Sequence, residues 1–190
     1  MGMRDEQDKP QMREPILKKD ICKLEIVSAE GSEWKHKMDE GVTKAMKISL
    51  KVVDEDAQCE NADAQPAIIN DQMNLEAHPY VSKKTGQVAK MGRGQLYSLE
   101  RALGFDPYYV DESGAQVEPH ITRNGNKACP KGAVQKLNPD FVDAYFDQND
   151  NPKFGAFDGK IVYADVDIEP GDEQYGPKNV IKRYRENPEA

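Results

Sequence analysis

The sequence predicts a mainly β domain of five strands, with one helix between the third and the fourth. Three observations carry that expectation. Two stretches near the N-terminus alternate apolar and polar residues, a second pair of such stretches lies at the C-terminal end, and a single segment between them has helical spacing and stops at a glycine.

The first strand is expected within Ile16 to Ala29, where Cys22, Leu24 and Ile26 alternate with Lys23, Glu25 and Val27. A polar loop from 30 to 43 follows and holds the only tryptophan, Trp34, beside Lys35, His36 and Lys37. Lys44 to Val53 gives the second strand, with Met46, Ile48, Leu50 and Val52 inward and Lys47, Ser49 and Lys51 outward. A third strand is expected around Pro66 to Leu75, broken at Asn70-Asp71, and residues 76 to 94 read as a loop punctuated by Pro79, Gly86, Gly92 and Gly94.

The helix fits Gln95 to Leu103: Leu96, Leu99 and Leu103 share one face and Gly104 is a natural stop. Residues 105 to 157 show little periodicity and read as a long irregular insertion, with a short helix possible only at Pro139 to Phe146. Strand four runs from Lys160 to Glu169, with Val162, Ala164, Val166 and Ile168 on one side. Strand five is Lys178 to Arg185, beyond the turn Pro170, Gly171, Tyr175, Gly176 and Pro177.

That order is the order of the OB-fold, a five-stranded Greek-key barrel with a helix between strands three and four. A generic α+β sheet is the alternative. Residues 1–15, polar and containing Pro10 and Pro15, are expected to be a flexible arm, and 16–190 a single OB-like domain interrupted at 105–157.

Composition excludes some functions. A formal net charge of -8 argues against coating polyanions through bulk charge. The charge is segregated, however. Residues 54 to 63 hold five acids and no base, 120 to 137 hold four bases and no acid, and from 80 to 101 five bases face Glu100 alone. Screening limits each charge to about 8–10 Å at ordinary salt, so local sign decides what a surface attracts.

No apolar run approaches the roughly 20 residues that span a bilayer, and the charged N-terminus lacks the apolar segment of a signal peptide. A cytoplasmic location without membrane contact is expected. Cys22, Cys59 and Cys129 form no CxxC pair, and His36, His78 and His120 have no ligand spacing, so neither a metal nor another cofactor is expected. Asp147 to Pro152 only superficially resembles a calcium loop and reads as a turn. No nucleophile elbow or P-loop occurs, and no enzyme activity is expected.

The chain resembles a phage-encoded family of small OB-like proteins that act as single-stranded DNA-binding factors in replication and recombination. The likeness rests on Ile16-Leu17-Lys18-Lys19-Asp20 leading through Leu24-Glu25-Ile26-Val27 to Met46 through Val52, on Gly94 through Gly104, and on Phe157-Asp158-Gly159-Lys160 with the strand that follows and Tyr175 through Tyr184. The resemblance implies sequence-tolerant binding of single-stranded DNA in the host cell cytoplasm, with replication or recombination proteins as further partners.

OB barrels bind oligomers across the face of strands two and three, flanked by the loops joining strands one and two and strands four and five. The expected contacts are Trp34, Lys35 and Lys37 in the first loop, Lys47 and Lys51 on strand two, and Tyr175 and Lys178 at the second loop. Lys182, Arg183, Tyr184 and Arg185 on strand five complete the set, all gathered on one side. Arg93 joins them, because Lys90-Met91-Gly92-Arg93-Gly94-Gln95 opens the helix with glycines that admit a phosphate; a plain loop explains the same residues. The alternative function is a protein-interaction module that offers its acidic surface (54–63 and 140–173) to basic partners.

Overall fold

The computed structural model describes residues 12–37 and 39–189. Its frame is an antiparallel sheet of β1 (Lys19–Lys35), β2 (Val42–Val52), β3 (Ile69–Asn74), β4 (Ile161–Glu169) and β5 (Lys178–Arg185), in the spatial order β3–β2–β1–β4–β5. Two helices, α1 (Gly94–Ala102) and α2 (Pro139–Tyr145), lie between β3 and β4 in the chain. The fold is mainly β, as expected. Among the described residues no helix is long and apolar enough to cross a membrane. Residues 1–11 of the expected arm lie outside the described residues, whereas Arg13 and Glu14 pair in parallel with Gln65 and Pro66.

The alternating residues make the core. Cys22, Leu24 and Ile26 of β1, Met46, Ile48 and Leu50 of β2, and Val162, Ala164 and Val166 of β4 are buried together with Leu96 and Leu99 of α1. Three bulges interrupt the ladders: near Asp20–Ile21 and at Val27 on β1, and at Lys182 on β5. Each leaves an extra residue on one strand, bends it and increases its twist. The sheet is therefore curled, and its two edge strands approach each other.

A polar junction bridges those edges. Asp71, the expected break in strand three, is instead an inward-facing position of a continuous β3, opposite Ile48 and between Ile69 and Met73. The Tyr184 hydroxyl on β5 donates to Asp71 Oδ2 at 2.9 Å, and Gln95 Nε2 of α1 donates to the same oxygen at 3.2 Å and to the Ile181 carbonyl at 3.4 Å. The backbone N–H of Tyr184 donates to Ser98 Oγ. Among the described residues no ladder joins β3 to β5; side chains of α1 occupy the seam. Burial pushes the Asp71 carboxyl up, against the hydrogen bonds from Gln95, Tyr184 and the Gln72 amide. Near the start of β5, the buried Asn179 side chain exchanges two 2.8 Å hydrogen bonds with the backbone of Ile16, as a neighbouring strand would.

Residues 105–157 are more ordered than an irregular insertion. Tyr108–Val110 pairs with Val134–Lys136 and with Gln116–Val117, and His120–Ile121 with Lys127–Ala128. α2 forms where a short helix was expected: Asn138 caps it by accepting the Asp140 N–H, and Pro139 sits in its first turn. Phe141, Tyr145, Phe146 and Phe157 then pack into the main core, with the Tyr145 and Phe157 rings 4.4 Å apart. Glu100 of α1 is also fully buried and accepts the Asn138 N–H at 2.5 Å; burial raises its pKa to about 7.

Two expectations follow. Tyr184→Phe deletes the hydroxyl bond to Asp71 and should lower stability by about 1–2 kcal/mol in urea unfolding. Glu100 is protonated in both states below about pH 4.5. Its folded pKa is the higher one, so stability falls as pH rises toward 7, by no more than about 3 kcal/mol. Glu100→Gln should flatten that segment, seen as a smaller difference between its urea midpoints at pH 5 and pH 8 than in the parent protein.

Candidate nucleic-acid interface

Trp34 lies within β1, since the ladder to β2 continues through Trp34 opposite Thr43 and Lys35 opposite Val42. The expected loop is therefore shorter, closed by the His36 N–H donating to the Gly41 carbonyl. A Cβ added to Gly41 would lie 2.7 Å from His36 Nδ1, so any other residue there would displace the His36 and Asp39 side chains. Trp34 is 39% exposed, and Lys35 and Lys37 beside it are exposed and form no ion pair with another described residue.

Outward along the same face of β2 stand Lys47 and Lys51, both exposed. Each faces an acid across the ladder: Lys47 is opposite Glu30 and Lys51 opposite Glu25. Opposite charges in register stabilise a hairpin, and they leave this face close to electrically neutral. Reading strand two alone hides that balance.

The bulge at Lys182 turns both Lys182 and Arg183 outward and returns Tyr184 to the inner side. Lys178, Lys182 and Arg183 are exposed, without an ion-pair partner among the described residues. Arg185 is held by Asp165, its Nε 2.9 Å from both carboxylate oxygens. Tyr175 is 77% exposed at the tip of the turn before β5. That turn is built on Asp172, which accepts the N–H groups of Gln174 and Tyr175.

Two expected contacts are corrected. Tyr184 is 2% exposed, with its ring in the core and its hydroxyl on Asp71, so it has no face to offer a base. Arg93 is half-buried and structural: it donates to the Tyr97 hydroxyl at 2.9 Å and lies over that ring. The remaining contacts also divide into two groups instead of sharing one side. From Glu25, the last β1 residue paired with β4, to Trp34 is about 30 Å of extended chain, and Tyr175 lies beyond the opposite end of β4.

A large open groove of about 1220 Å³ runs between α1, the 120–128 hairpin and β5. Arg101, Lys127, Arg183 and Arg185 line it, matched by Asp20, Asp106, Asp165 and Glu186. Lys127 is paired with Asp106 and Arg185 with Asp165. Its balance of charge gives a polyanion little reason to enter.

The segment expected to be loop holds the feature that sequence reasoning missed. His78–Val81 and Val88–Met91 pair as an antiparallel hairpin that joins no other strand among the described residues. From Ala77 to Leu99 the sequence contains no acid. The hairpin is anchored beside Trp34 through Thr43, which is buried: His36 Nε2 lies 2.8 Å and His78 Nδ1 2.9 Å from the Thr43 hydroxyl oxygen, and His36 Nδ1 lies 2.7 Å from Asp39. With both rings neutral, one arrangement makes every contact a hydrogen bond. His36 Nδ1–H donates to Asp39, the Thr43 hydroxyl donates to His36 Nε2, and His78 Nδ1–H donates to Thr43. The Gly41 amide and His36 hold the Asp39 carboxyl below its ordinary range.

No known protein family, curated protein or solved structure matches this chain. Thr43→Val keeps the shape of the buried side chain but removes the oxygen both rings use. Amide hydrogen exchange across residues 78–91 should then accelerate about five- to tenfold, with the core strands unchanged.

Proposed function

We propose that this chain is an OB-like protein that binds single-stranded DNA without sequence preference, acting in phage replication or recombination. The finer fold reading is supported by the strand order and by the curled sheet, whose edges β3 and β5 meet through Asp71, Gln95 and Tyr184. A barrel closed by side chains in place of a last ladder fits the partly open form of that fold.

One observation carries the functional reading: exposed rings share their segments with exposed cations that form no ion pair among the described residues. Trp34 has Lys35, opposite Val42, and Lys37 beside it, whereas Tyr175 precedes Lys178, Lys182 and Arg183, of which Lys178 and Arg183 stand opposite Glu169 and Asp165. Bases stack on rings of any neighbourhood at about 1–3 kcal/mol each, and cations follow the phosphates, so the combination favours a flexible strand over a duplex. The Trp34 end is the primary contact and β5 a second one for longer strands.

The acidic loop supports the second reading. Glu55, Asp56, Glu60 and Asp63 are exposed and form no ion pair with another described residue, a surface suited to a basic protein partner.

Titration with oligo(dT) is expected to quench Trp34 fluorescence. Affinity should fall with salt at a log–log slope of about -0.7 per phosphate neutralised, and a duplex of equal length should bind more weakly. Absence of binding at low salt, or preference for the duplex, overturns the reading; a salt-insensitive complex with a basic protein alone favours the second one.

A further inference from the structure

We infer that the 78–91 hairpin is the second jaw of the Trp34 site, so that a single strand is held between Trp34 and Tyr80. This rests on the single-strand reading and adds a contact that strand pattern alone does not supply.

Position is the first argument. The row Trp34, Thr43, His78 runs across three neighbouring chain segments, Trp34 pairing with Thr43 and His78 bonding to it. Leu75 N–H donates to the Lys44 carbonyl and Lys44 N–H to the Glu76 carboxylate, which carries the chain from β3 up beside β2 to that point. Tyr80 follows His78 by about 7 Å of extended chain and, by strand alternation, on the same side.

Chemistry is the second argument. Tyr80 is 40% exposed, and Lys83, Lys84 and Lys90 are exposed on a hairpin with no acid of its own. By the same alternation Val81, Val88 and Lys90 face away from Tyr80, which leaves Lys83 and Lys84 at the tip to follow a strand held on the Tyr80 side. A ring followed by two ammonium groups matches the mixed character of a single strand, with its phosphates and unstacked bases. Among the described residues the hairpin pairs with no other strand, and His78 on Thr43 anchors its base.

Binding of oligo(dT), followed by anisotropy and by Trp34 fluorescence across salt, tests this with two variants of the full chain: Lys83→Ala/Lys84→Ala and Tyr80→Leu. All three side chains are solvent-exposed, and unchanged thermal unfolding shows that the variants fold. The double variant should flatten the salt slope by about 1.4, at about 0.7 per lost phosphate contact. Tyr80→Leu should weaken binding about five- to hundredfold with the slope kept. If the parent quenches Trp34 while both variants bind with parental affinity and slope, the jaw is refuted and the single-strand reading stands. If the parent does not bind, both fall. If the lysines matter equally for polyglutamate and Tyr80→Leu changes nothing, the hairpin contacts acidic proteins, and the proposal is overturned.

Discussion

The structure depends on one inward-facing carboxylate. Asp71 sits on the core face of an edge strand, a place where an unpaired charge is costly. Three donors from different parts of the chain converge on it: the Tyr184 hydroxyl, the Gln95 amide and the neighbouring Gln72 N–H. Satisfying that one group therefore fixes the relation of β3, α1 and β5 together. A hydrophobic residue there would pack with equal ease but would specify none of those neighbours.

The same logic of joining distant segments through side chains recurs elsewhere. Asn179 stands in for a strand beside Ile16, Glu100 ties α1 to the start of α2, and Thr43 collects two histidines from different hairpins. The aromatic cluster of residues 141–157 closes the core against this frame. Side-chain hydrogen bonds thus join segments that no strand ladder joins.

The strands were legible because alternation survives wherever one face is buried: Cys22 to Ile26, Met46 to Leu50 and Val162 to Val166 are all inward. Legibility failed where alternation was interrupted or misleading. Asn70-Asp71 looked like a break because a carboxylate on the inner face violates the pattern, and its partner Tyr184 is far off in the chain. Tyr184 looked exposed because it lies between cations, and the preceding bulge is invisible in composition. Glu30 to Lys35 has polar residues on both faces and hid the end of β1. In 105–157 the strands are only two or three residues long, too short for any period to register. The hairpin at 78–91 was concealed by Pro79 and Gly86, although its run of bases was plain.

The bulge at Lys182 has a further consequence, for the lengths β5 tolerates. It acts as a phase correction, reversing which residues look inward between Ile181 and Tyr184. Without the bulge, strict alternation of the same residues would turn Arg183 inward and Tyr184 outward, putting a guanidinium where a phenol belongs. Loss of one of the two outward residues, by contrast, leaves the phenol inward and removes only the bend. Related chains, as they diverge, are expected either to keep the extra residue with its bulge or to lose both together.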